Sequence, residues 1–71
     1  MKKYLVIIEQ ETLEIIVRGK SFKFKEWSDF RIMVNGILTA DQCNKMIYEE
    51  NPIYQFSINE NKLIKLGLIK I

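Results

Sequence analysis

Between residues 3 and 9 the side chains repeat with a period of two: Tyr4, Val6 and Ile8 fall on one side of an extended backbone, Leu5 and Ile7 on the other. Apolar residues on both sides predict a strand covered on both faces. Gln10-Glu11-Thr12 is a polar break suited to a turn, after which Leu13, Ile15 and Val17 alternate with Glu14, Ile16 and Arg18 in a second strand. Arg18-Gly19-Lys20-Ser21 then holds the glycine that a tight reversal needs. Phe22 and Phe24 alternate with Lys23 and Lys25 in a third strand with one apolar and one basic face. Together these segments predict an antiparallel meander.

Near residue 28 the period lengthens. The Ser28 hydroxyl is placed to cap a helix, Asp29 just inside suits the positive end of the helix dipole, and Trp27 before the cap is spaced to staple onto Ile32. Phe30, Met33 and Val34 form one apolar stripe, and Asn35-Gly36 supplies the left-handed residue that commonly ends a helix. Thr39-Ala40-Asp41-Gln42 fits a capping box, followed by the stripe Cys43, Met46 and Ile47. This second helix is predicted to run to about Glu50, where Asn51-Pro52 stops it. Residues 53–58 return to strand alternation, Asn59-Glu60-Asn61 reads as a turn, and 63–71 reads as a final strand.

The predicted order is βββααββ: a single α+β domain over 1–71, with a small antiparallel sheet packed against two short helices. No linker, repeat or low-complexity stretch divides it. A chain of 71 residues buries a modest core, and the usual staples are missing, because it has one cysteine and no histidine. A disulfide is excluded, and a lone thiol falls short of a structural zinc set. No metal and no cofactor is expected. Support must come from a dense core or from a partner chain.

No apolar run reaches the roughly 18–20 residues of a membrane span, and Met1-Lys2-Lys3 does not lead into a signal peptide. A cytoplasmic protein is expected, with no membrane partner. The wealth of Lys, Ile and Asn points to an AT-rich genome, as in low-GC bacteria or their phages. The net charge of +2 is too mild to indicate nucleic-acid binding by itself.

Catalysis is not expected. Histidine, the commonest base, is absent; Cys43 shares the stripe of Met46, where a small buried hydrophobe is the ordinary role. Glu49 and Glu50 are sequence neighbours, which do not face each other on a helix. The three glycines stand far apart and form no phosphate loop. Two binding surfaces are candidates. Lys20, Lys23, Lys25 and Lys62 could serve a nucleic acid, the first three interleaved with Phe22, Phe24 and Trp27, although strand alternation aims the phenylalanines away from the lysines. Trp27, Tyr48 and Tyr54 are amphipathic aromatics that suit either a protein contact or the edge of a core.

Residues 19–30, reading Gly-Lys-Ser-Phe-Lys-Phe-Lys-Glu-Trp-Ser-Asp-Phe, resemble the small uracil-DNA glycosylase inhibitors of Bacillus phages. In that family a Gly-Lys turn opens an aromatic-rich strand and Ser-Asp-Phe begins a short helix. The run Leu63-Ile64-Lys65-Leu66 resembles the family's final strand. The resemblance implies a dimer that mimics DNA and holds a leucine of the glycosylase in an apolar pocket, with Phe30 as the helix aromatic and Asp29 beside it. This chain departs from the pattern by an inserted helix and strand, and by a slightly basic charge where a DNA mimic should be acidic.

The leading expectation is therefore a phage-type or mobile-element inhibitor that blocks a host enzyme by protein contact, with uracil-DNA glycosylase, a DNA-repair enzyme, as target. Its contact residues would be Trp27, Asp29, Phe30, Met33 and Tyr48, and a homodimer is the other expected partner. The alternatives are a nucleic-acid-binding accessory protein and an assembly component that oligomerises through its sheet.

Overall fold

The computed structural model describes residues 2–48 and 52–70, with the side chains of Ile47 and Tyr48 outside the description. Strands β1 (Lys3–Glu9), β2 (Glu14–Val17) and β3 (Lys20–Lys23) are followed by helices α1 (Trp27–Ile37) and α2 (Ala40–Tyr48), strand β4 (Ile53–Asn59) and helix α3 (Glu60–Lys65). The sheet is antiparallel with order β3-β2-β1-β4. The class is α+β, and the meander and the two central helices stand as the pattern predicted.

Registers follow from the turns. Val17 pairs with Lys20 across the two-residue loop Arg18-Gly19, whose φ values of 53° and 77° are both left-handed. Such a reversal matches the strands' right-handed twist, and glycine takes the second position without strain. β4 then returns along the free side of β1, with Ile8 opposite Tyr54 and Tyr4 opposite Ile58. At that end the Tyr4 hydroxyl donates to Glu60 Oε2 at 2.7 Å, tying the start of the sheet to the start of α3. This bond, with partial burial and the carboxylate's charge, raises the Tyr4 phenol above its ordinary value; the Arg18 guanidinium over the ring acts in the opposite sense.

One face of the sheet makes the core. Val6, Ile8, Ile15 and Val17 are sealed against Phe30, Val34 and Ile37 of α1, Cys43 and Met46 of α2, and Leu63, Leu68 and Ile69 from the C-terminal end. Among the described residues none of the buried ones is charged, so the core is held chiefly by apolar burial, with the Tyr54 hydroxyl donating to Lys45 O at 3.2 Å.

The other face corrects an expectation. β1 was predicted to be covered on both sides, yet Leu5 is 51% exposed and Ile7 half-buried, with Ile16 and Ile53 beside them on the same outward surface. The helices all sit opposite. Two short helices and a C-terminal turn supply enough apolar surface for one face only.

Helix α1 also differs from its predicted limits. Its cap is Glu26, which makes no side-chain capping bond, so Ser28 lies inside the first turn. Gly36 is helical, and the helix continues through it to Ile37. A Cβ there would stand 3.0 Å from Cδ2 at the tip of the half-buried Leu66 side chain. Trp27 and Ile32 are both exposed, and Trp27 rests on Phe30 rather than stapling to Ile32. The capping box of α2 forms as expected: Gln42 N–H donates to Thr39 Oγ1 at 3.2 Å and Thr39 N–H to Gln42 Oε1 at 2.9 Å. The predicted end of this helix at Glu50, like Glu49 and Asn51, lies outside the described residues.

The closing segment is a helix, not the expected strand. Asn59 Oδ1 accepts from Asn61 N–H at 2.8 Å and caps α3. At the far end Gly67, with φ 78°, donates to Ile64 O at 3.0 Å, and Leu68 N–H donates to Leu63 O at 2.9 Å. This is the Schellman pattern, and its usual apolar contact is met by two buried residues, Leu63 and Leu68. The final strand therefore becomes a capped helical turn that closes the core.

Candidate functional site

Three aromatic side chains meet where β3 leads into α1. Phe30 is 1% exposed and lies under two others: Phe24 meets it edge-on, with centroids 6.0 Å apart and planes at 70°, and Trp27 tilts over it at 5.6 Å and 36°. Phe24 is half-buried, whereas Trp27 is 51% exposed. The indole is thus supported from beneath and open from above.

The surroundings of Trp27 are polar. Lys25, Glu26, Ser28 and Asp29 are all exposed, and Asp29 stands in the first turn of α1, where the helix dipole favours a carboxylate. Met33 is half-buried against the core. The expected contact set therefore divides. Trp27 and Asp29 are available to a partner, Met33 only in part, and Phe30 is corrected to a core residue that positions Trp27. Tyr48 is the last described residue of α2, and its side chain lies outside the described residues.

The basic set does not converge. Lys20 and Lys23 are an odd number of residues apart on β3 and project to opposite faces, Lys23 standing across from Glu14. Lys62 belongs to α3 and borders a different hollow, shared with Lys3, Thr39 and Gln42. Lys20 has other company, Arg18 and Lys70, which spacing along the chain could not have brought together.

Reactive groups are engaged in structure. Cys43 is buried, and its thiol donates to Asn35 Oδ1 at 3.6 Å, bracing α2 against α1. Glu14 is held below its ordinary value, first by the Ser21 hydroxyl donating to it at 2.6 Å, then by Thr12 and by the charge of Lys23. Among the described residues no three His, Cys, Asp or Glu gather into a metal-holding group, and no helix is long and apolar enough to cross a membrane. Comparison with models of protein families, with curated proteins and with solved structures finds no match to this chain.

Proposed function

We propose that the protein is a non-catalytic inhibitor that blocks a host enzyme by protein contact, with Trp27 as its anchor and Asp29 beside it, and that its target is a uracil-DNA glycosylase. The exposed Trp27, held on the buried Phe30, is the observation that carries this proposal. Contact energy concentrates in a few aromatic side chains that are rigid before binding, because they lose little conformational freedom when a partner covers them. The choice of target rests on the resemblance of residues 19–30 to phage inhibitors of that enzyme. Uracil excision by a purified bacterial glycosylase, followed as the protein is titrated in, tests it. Excision should cease near one equivalent; full excision in the presence of excess protein removes this target.

A second role is favoured by the outward face of the sheet. Leu5, Ile7 and Ile16 form an apolar centre, with Lys3 at one end and Glu9, Glu14 and Lys23 at the other. A second copy laid face to face would cover the apolar centre of each. We propose that the protein self-associates through this face. Light scattering across a concentration series tests the association.

A further inference from the structure

We propose that the hollow between the β2–β3 hairpin and the C-terminal segment binds a small amphipathic anion, a carboxylate or phosphate ester carried on an aromatic or acyl body. Its volume is about 280 Å³, close to the lower limit of roughly 300 Å³ for clefts that hold small organic ligands. The wall is made by Val17, Phe22 and Leu68, of which Val17 and Leu68 are buried core residues and Phe22 is half-buried. Three cations, Arg18, Lys20 and Lys70, border it, and no carboxylate does so among the described residues.

This chemistry differs from that of an ordinary solvated surface. The chain carries nine acidic residues against eleven basic ones, so mixed signs are the rule elsewhere, as where Glu14 faces Lys23. Three like charges around one low-dielectric wall repel one another, and an anion seated among them relieves that repulsion. Lys20 is held close to the wall, its Nζ 5.2 Å from the centroid of Phe22, and Arg18, whose guanidinium carbon lies 5.3 Å from the centroid of the Tyr4 ring, borders both this hollow and a neighbouring one lined by Tyr4 and Leu5. An apolar body would lie on Phe22 and Leu68 with its acid group at the cations. None of these residues belongs to the Trp27 surface, so this site stands independently of the inhibitor role.

The probe is anilinonaphthalene sulfonate, an aromatic anion whose fluorescence rises in an apolar site, with uncharged phenylnaphthylamine as its control. Lys20→Glu and Lys70→Glu alter exposed side chains, and their melting temperatures report that the fold is kept. Wild-type protein is expected to bind the anionic probe saturably at one site and more tightly than the neutral one, and each reversal should weaken it by about tenfold or more. Leu5→Lys, on the outward sheet face, should bind the probe as wild type does. Absence of saturable binding, equal affinity for the neutral probe, or binding that survives both reversals overturns the assignment, as does loss of binding in Leu5→Lys alone.

Discussion

Trp27 lies over Phe30 with ring centroids 5.6 Å apart, one side chain half in solvent and the other sealed beneath it. The two residues carry different kinds of energy. Phe30→Ala opens a cavity under both Phe24 and Trp27 and should cost about 3–5 kcal/mol, enough to leave a domain of this size largely unfolded. Loss of the cooperative melting transition in circular dichroism is the expected result, and a melting temperature close to wild type would place Phe30 outside the core.

The capping box at Thr39 closes the first turn of α2 where the chain leaves α1. Thr39→Ala removes the acceptor of the Gln42 N–H and should lower stability by about 1 kcal/mol. In a domain this small that corresponds to a fall of about 4–8 °C in melting temperature. Calorimetry reads it directly, and an unchanged midpoint would mean that solvent replaces the cap at no cost.

Acid should act on Glu14. Its folded-state value is depressed, first by the Ser21 hydroxyl, so the folded chain holds this proton less readily than the unfolded one. The associated stability is fully present above the ordinary carboxylate value and is lost as pH falls through the lower, folded value. Ser21→Ala removes the leading cause. In carboxyl titrations followed by NMR, Glu14 should move up toward its ordinary value in the variant, and denaturation midpoints should lose less between roughly pH 5 and pH 3 than in wild type. An unmoved Glu14 titration would show that Thr12 and Lys23 suffice.

The outward sheet face is open to a second copy. Light scattering should give twice the chain mass at high concentration for wild type and the single-chain mass for Leu5→Lys, which puts a charge at the centre of the apolar patch. Wild type that stays monomeric at every concentration removes the self-association proposal.

Much of the fold was legible in the sequence because strand alternation, the Arg18-Gly19 turn and the Thr39–Gln42 capping box are local signals. The closing segment was not. Leu63, Ile64, Leu66, Leu68 and Ile69 fit a period of two almost as well as a short helical turn, and Asn59-Glu60 suits a turn as readily as a cap. Gly67 followed by Leu68, four and five residues beyond Leu63, was the signal for a helix end. The site was legible in part. Trp27 and Asp29 could be named, and the stripe of Phe30, Met33 and Val34 already marked Phe30 as core-facing, whereas its place among the contact residues came from the resemblance alone. The grouping of Arg18, Lys20 and Lys70 depends on the C-terminal segment folding back to the hairpin, and no local pattern records that.

Trp27→Ala tests the contact role most directly, since its half-exposed ring can be removed with the core left in place. Calorimetric titration of a uracil-DNA glycosylase with both proteins should show tight binding by wild type and a loss of about 30-fold for the variant, equivalent to about 2 kcal/mol, with melting temperatures that stay close. Equal affinity for the two proteins, or no binding by the wild type, would contradict it.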